Sequence, residues 1–471
     1  MTADMLANVS TAKLSRQESK RILKLARAGL WTRVFPAGSM ERPRLLVGRE
    51  RQAAKLNALM DELLGRVEGR GGGTLGVVLY GPRGVGKTVL LDTLAEFAEG
   101  SALVVRGTGN SLASVSSLIQ FVLGKISPAP ETTRSSRGKL ALGGTGIEGG
   151  VETKTLGGRP QAGSVEDAMI ALVGDSGGGM PKPTLMTFDE AHVSDPLALG
   201  ALLNAVQLLN GKGWPVAVTL AGTPDVLDVL RGAKATWFLD RGASRRLIPV
   251  GNLTDRECAL AISEPLHCAG VQFDLDELDE AAKWCRGSPY FSQALGLSAL
   301  VSAYEEGGGE RRADFREGGP VGTRFQEAAL NRYVQAWADI DDKGLTGCAR
   351  QLGALWRWSQ ADPNREIDSY QVDQAVQSGL RTPPVNVEAQ HSPREAKRHF
   401  RHLGLLWSPS GSRSGPWEVG VPSFFDYVES IYQSETAFGY HRTLEALNAD
   451  LAGFIPRESS SGEERGRPAS S

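Results

Sequence analysis

Cysteine is scarce: four in 471 residues, at Cys258, Cys268, Cys285 and Cys348, with no C-x-x-C pair. That spacing excludes a disulfide framework and offers no zinc site. A reducing cytoplasm is the expected compartment. The six histidines have no metal-ligand spacing either. Net charge is nearly absent, with 52 Lys and Arg against 54 Asp and Glu, a formal −2. A chain-wide nucleic-acid or membrane footprint is thereby excluded, while a local basic face is compatible with the balance. Long apolar runs are missing. The opening MTADMLANVSTAKLSRQESK has no apolar h-region, and no stretch approaches membrane-spanning length.

What is there is ordinary globular material, 41% hydrophobic and 23% charged. The chain can bury a sizeable core, and its length suggests roughly three domains. Residues 1–44 read as a polar leader with one amphipathic helix, in which Ile22, Leu23, Leu25, Ala26 and Leu30 fall at near-helical spacing. From 45 to 253, apolar strand patterns (LGVVLY, ALVVRG, TLMTFDE, PVAVTLAG) alternate with helical ones. That alternation predicts an α/β fold, a parallel sheet with helices on both faces. Residues 128–163, rich in Gly, Ser and Thr, interrupt it as a flexible or hairpin-like insertion. Residues 254–305 read as a small helical unit, 306–323 as a linker, 324–457 as a third domain and 458–471 as a disordered tail.

The stretch VVLYGPRGVGKTVLL carries the strongest motif. Gly81, Gly86, Lys87 and Thr88 fit G-x-x-x-x-G-K-[ST] between a strand and a helix start. The loop Gly81, Pro82, Arg83, Gly84, Val85, Gly86, Lys87, Thr88 and Val89 is expected to curl its N–H groups around a polyphosphate, in front of a helix N-terminus. Lys87 is expected to reach the β- and γ-phosphates, and the Thr88 hydroxyl to ligate Mg²⁺.

About a hundred residues on, TLMTFDEAH delivers Asp189 and Glu190 at the C-terminal end of an apolar strand, where open α/β sheets bind ligands. Asp189 suits Mg²⁺, and Glu190 suits a general base on the attacking water. His192 completes the letters D-E-A-H, but no Q-x-x-G-R-x-G-R motif follows, so it reads as a local loop residue. No N-K-x-D guanine-reading motif exists, which disfavours GTP. VTLAGTPDV ends a strand at Thr223, whose hydroxyl could position the lytic water; a plain strand-to-turn threonine is the alternative. Arg241, Arg245 and Arg246 precede the helical unit. One of them could neutralise transition-state charge on a neighbour's nucleotide, or all could be surface residues.

Downstream, EIDSYQVDQAV, SPREAKRHFRHLGLLW and SPSGSRSGPWEVGVPSFFDYV read helix, helix, hairpin, the layout of a winged helix. In the second helix Arg394, Lys397, Arg398 and Arg401 recur on one face, flanked by His399 and His402, with Arg413 at the wing tip. This face suits phosphate contacts with DNA. Its alternative is a solvated or domain-packing face.

The order LVGRE, GPRGVGKT, TFDEAH, LAGTP, FLDR, CRGSPYFSQALG resembles AAA+ ATPases of the origin-recognition-like branch, and more narrowly a group of bacterial ATP-binding AAA proteins. The resemblance covers residues 46–305 and continues more weakly to Tyr432. It implies ATP and Mg²⁺ as cofactors, with Val47, Gly48 and Arg49 near the adenine. Lys87 and Thr88 would then serve the phosphates and metal, Asp189 and Glu190 the metal and water, and Thr223 would be the first sensor. Arg241 would be the leading finger in a homo-oligomer and Arg245 the second choice. Many lids of this family carry an arginine after G-x-P; here Tyr290 stands in its place. The expectation is an ATP-hydrolysing switch with a helical lid and a winged-helix-like output domain, acting on DNA. The alternative is a weakly hydrolysing scaffold for a protein partner.

Overall fold

The computed structural model describes residues 14–37, 42–70, 73, 75–126, 155–156, 159–160, 162–174, 182–234, 238, 246–305, 310–362, 364–381, 391–411 and 415–438. Its centre is a five-stranded, all-parallel sheet built from β1 (Leu75–Tyr80), β2 (Leu103–Thr108), β5 (Thr184–Asp189), β6 (Val216–Gly222) and β7 (Leu247–Pro249), in the order β2-β5-β6-β1-β7. Within the expected insertion, Thr155–Leu156 (β3) and Arg159–Pro160 (β4) make a short antiparallel pair. Every residue of β1 and β6 is buried. This is what a parallel sheet covered on both faces demands, and it explains why these strands read as continuous apolar runs.

Register positions the chemistry. β1 pairs with β6 so that Tyr80 faces Gly222, and β5 pairs with β6 so that Phe188 faces Leu220. The loop after Tyr80, the turn after Gly222 and the carboxylates after Phe188 therefore emerge side by side at one sheet edge. Flanking helices are α2 (Glu50–Val67), α3 (Lys87–Ala98), α4 (Val115–Leu123), α5 (Val165–Gly174), α6 (Pro196–Gly211) and α7 (Val226–Gly232). In α2, Leu56, Leu59, Met60 and Leu63 form the buried stripe. The start of α6 is fixed by Asp195, whose carboxylate accepts from Leu197 N and Ala198 N, with Pro196 in the first turn.

The segment read as a polar leader is not free. Its helix α1 (Arg16–Arg27) buries Ile22 and Ala26 in the same apolar core as the helical unit, and Phe35 follows them. That unit comprises α8 (Asp255–Cys268), α9 (Leu275–Ala282) and α10 (Pro289–Glu305). The expected linker also packs: Ala313 and Phe315 are buried, and Gln272 bridges Arg312 in parallel fashion.

Next come α11 (Pro320–Asp342), α12 (Thr346–Gln360), α13 (Ser369–Leu380) and α14 (Pro393–His402). They are followed by an antiparallel pair, β8 (Leu406–Trp407) and β9 (Glu418–Val419), and by α15 (Pro422–Phe438). An isolated bridge, Ile367 to Trp417, adds a third edge to the hairpin. One aromatic ladder unites these helices with α10: Phe291 meets Tyr333 at 5.4 Å, and Tyr333 stacks on Tyr427 at 5.3 Å. The hairpin closes against the sheet. Trp407 is buried edge-on to Tyr80, whose hydroxyl donates to Pro409 O at 2.5 Å. Among the described residues, no helix is long and apolar enough to cross a membrane.

Candidate functional site

The loop between β1 and α3 forms one wall of a cavity of about 360 Å³. Gly86 caps α3 with φ +93, the left-handed region that a side chain resists, so glycine lets the loop turn its amides inward. Lys87 is buried, and its ammonium donates to Gly81 O at 3.0 Å and Pro82 O at 2.5 Å. Burial lowers its pKa to about 8, opposed by the charges of Glu190 and Asp189. The site therefore holds a desolvated cation that an anion would stabilise.

Thr88 Oγ1 donates to Asp189 Oδ2 at 2.6 Å, joining the helix start to the end of β5 across the cleft. Asp189 Oδ1 accepts from Glu190 N at 2.8 Å. Glu190 sits at φ +52, a strained conformation for a residue with a Cβ, and this turns its exposed carboxylate into the cavity mouth. Two hard oxygen donors in contact, beside an open carboxylate, are what Mg²⁺ with a phosphate would use. Few protein ligands are then needed, and among the described residues no group of three or more acidic, His or Cys side chains is clustered for a metal.

Thr223 is buried against His192 and is not among the residues lining the cavity, and its Oγ1 has no hydrogen-bond partner. His192, expected to be a local loop residue, is buried here. Its Nδ1 accepts from Thr223 N at 3.4 Å, which leaves Nε2 carrying the proton in the neutral ring. Nε2 stands 3.2 Å from Glu190 Oε2, without hydrogen-bond alignment. Burial, then His402 and Arg83, lower the His192 pKa to about 4.

The cavity lining also includes the apolar residues Pro36, Pro43, Leu45, Val47 and Pro289, which suit a flat base. Of the three residues expected near adenine, Val47 and Arg49 line the cavity. The Arg49 guanidinium is engaged elsewhere: it donates to Val85 O at 3.0 Å and to Gly251 O at 2.8 Å, bracing the phosphate loop against the segment that follows β7. Gly48 lies at φ +67 against the Glu257 carboxylate. Pro82 and Gly81 supply the carbonyls that hold Lys87; Arg83, Gly84, Val85 and Val89 line the cavity with Gly86 and Thr88. Arg241, Arg245 and Arg413 lie outside the described residues.

The basic helix α14 is not a uniform outward face. Arg394 and Arg398 are exposed. Lys397 donates to Asp373 at 2.8 Å and to Ser369 Oγ at 3.0 Å, over the Trp417 ring. Arg401 donates to Asp228 at 2.8 Å and to Pro224 O at 3.2 Å. His402 stands 3.6 Å from Asp225 and edge-on to His192. For Lys397 and Arg401 the domain-packing alternative holds, while Arg394 and Arg398 remain exposed. Half of the four cations are engaged inside the protein: Arg401 by Asp225 and Asp228, in the turn after β6 and on α7, and Lys397 by Asp373 on α13.

Comparison with known proteins gives a family match and a fold. Residues 45–218 match the protein family described as AAA ATPase domain. No curated protein matches the sequence. Among solved structures, the chain is similar to the Walker-type ATPase PABY2304 of Pyrococcus abyssi, at 15% identity and a TM-score of 0.50, over 82% of this chain and 97% of that one. It is also similar to the Aeropyrum pernix ORC2 protein solved as ADPNP–ADP complexes, at 15% identity and a TM-score of 0.49, over 86% and 98%. The parallel sheet, the loop ahead of α3 and the family match agree: residues 45–218 are similar to an AAA ATPase domain, and the chain has a P-loop NTPase fold.

Proposed function

We propose that this chain binds ATP with Mg²⁺ in the cleft and hydrolyses it, working as a nucleotide-dependent switch. The observation that carries the reading is the 2.6 Å contact of Thr88 with Asp189 beside the buried Lys87 ammonium. Thr88 and Asp189 would hold the Mg²⁺, which when bound neutralises charge on the phosphates. Lys87 exchanges its two carbonyl partners for phosphate oxygens. Glu190 accepts the proton of a water whose oxygen attacks the γ-phosphorus as the bond to the β–γ bridging oxygen breaks. The orphaned Thr223 hydroxyl orients that water.

The deciding experiment pairs two variants. Lys87→Ala should lose ATP binding. Glu190→Gln should keep binding and lose about 10²–10⁴-fold in phosphate release. Wild-type turnover in Glu190→Gln would remove the base assignment.

The switch reading extends to a winged-helix-like output domain, in a cytoplasmic homo-oligomer where Arg241, or else Arg245, supplies a cation to the neighbouring nucleotide. Exposed Arg394 and Arg398 support DNA as the target. A second reading, slow hydrolysis in a scaffold for a protein partner, is favoured by one observation: Lys397 and Arg401 are already engaged within the chain.

A further inference from the structure

We infer that Arg332 is the cation that reads the γ-phosphate, reaching the cleft from α11 of the same subunit. The inference rests on reading the cleft as an ATP site and adds a residue that no motif marks.

Rotation of α11 is fixed by its neighbour in sequence. Tyr333 is buried, stacked on Tyr427 and edge-on to Phe291. One residue earlier, roughly 100° around the helix, Arg332 is turned to the cleft. It lines the main cavity together with Lys87 and Glu190, and also a smaller cavity of about 160 Å³ that opens beside Arg83 and Gly84.

The side chain is steered there by an aromatic face. Its guanidinium carbon lies 5.4 Å from the centre of the Tyr290 ring, a cation–π distance. Tyr290 itself abuts the phosphate loop, with its Cβ 3.5 Å from where a Cβ on Gly84 would stand. Among the described residues no hydrogen bond or ion pair occupies the Arg332 guanidinium. Arg49, by contrast, is engaged by backbone carbonyls, and Arg286 faces Asp426 at 3.5 Å. A planar fork with free donors at the edge of a phosphate-binding loop suits a phosphate.

Position selects which phosphate. The Lys87 ammonium, which serves the β- and γ-groups in such loops, lies at Gly81 O and Pro82 O. The apolar lining residues Leu45 and Val47 suit the base. Arg332 shares the smaller cavity with Arg83 and Gly84 of the phosphate loop, a cavity that Leu45 and Val47 do not line, and we assign it the γ-phosphate, the group that ATP carries and ADP lacks. ATP then draws α11 towards the loop, ADP releases it, and the C-terminal helices packed on Tyr333 follow.

The test is equilibrium binding of ADPNP and of ADP, both with Mg²⁺, to wild type, Arg332→Ala, Arg332→Lys and Lys87→Ala. Arg332→Ala should weaken ADPNP about 10- to 100-fold and leave ADP within about twofold, with Arg332→Lys in between. Lys87→Ala should lose both nucleotides. Equal losses for ADPNP and ADP in Arg332→Ala, or no loss, would overturn the role of Arg332 while leaving the ATP site intact. A wild type that binds neither nucleotide would overturn the site and, with it, this inference. Arg332 is exposed, and the thermal melts of the nucleotide-free variants should match wild type.

Discussion

Arg401 on α14 donates to Asp228 on α7 at 2.8 Å, an ion pair that ties the C-terminal helices to the turn after β6. The arginine side chain is 13% exposed, and its second nitrogen lies 3.6 Å from Asp225. Removing it would take the arginine away from the largely buried Asp225 and leave Asp228 with Arg231 on its own helix. Arg401→Ala should cost about 1–3 kcal/mol in urea unfolding, with a coupling to Asp228→Ala of about 1 kcal/mol in a double-mutant cycle. Zero coupling would show that the ion pair carries no energy across the seam.

Gly404 sits at a second point on the seam. Its φ is +73, and a Cβ there would stand 2.6 Å from Arg83 N of the phosphate loop. Neither the angle nor the space admits a side chain. Gly404→Ala should destabilise by about 2 kcal/mol or more and weaken ATP binding as well. A variant with normal ATP affinity and a lowered melting temperature would separate the hairpin from the loop.

Arg49 braces the phosphate loop with two carbonyl bonds from one guanidinium nitrogen. Lysine cannot reproduce that geometry. Arg49→Lys should lose about 1–3 kcal/mol of stability and weaken ATP and ADP to the same degree, because loop order rather than one phosphate is affected. Calorimetric titration of both nucleotides checks it.

His192 gives an acid-side signature. It faces Glu190, Thr223 N, His402 and, through His402, Asp225. Its pKa falls from 6.5 to about 4, chiefly through burial. The unfolded chain therefore binds more protons between those values. The stabilisation is complete above pH 6.5 and is lost as pH falls towards 4, by roughly 3 kcal/mol. The stability difference between wild type and His192→Gln, followed by urea unfolding from pH 7 to pH 4, should shrink in that window. A difference independent of pH would contradict the buried neutral ring.

Charge reversal at Arg394 and Arg398 tests the DNA reading without touching the seam. If DNA binds there, the slope of log K against log salt should flatten by about 0.9 for each phosphate that is no longer neutralised. An unchanged slope would turn the assignment towards a protein partner.

What could be read from sequence was what depends on short spacing. The Gly81–Thr88 loop, the apolar strands and the Asp189–Glu190 pair each signal themselves within ten residues. The sheet order then brings them together without further information. Longer-range facts were illegible. A helix bearing Arg394, Lys397, Arg398 and Arg401 has the same letters whether it faces solvent or Asp228, and the partner lies 173 residues away. Arg332 has no motif; only the burial of Tyr333 turns it to the cleft. The apolar PRLLV stretch at Pro43–Val47 was a signal that the leader ends in packed structure, as was ADF at Ala313–Phe315 for the expected linker.

The aromatic ladder from Phe291 through Tyr333 to Tyr427 has a consequence for dissection of the chain. No cut between α8–α10 and the C-terminal helices leaves two clean surfaces, since each side would bare rings that the other now covers. A fragment ending after Glu305, or one beginning near Pro320, should aggregate where the intact protein stays dispersed. Limited proteolysis should likewise fail to release the C-terminal helices as a separate piece. Any movement of α10 should therefore carry α11 and α15 with it.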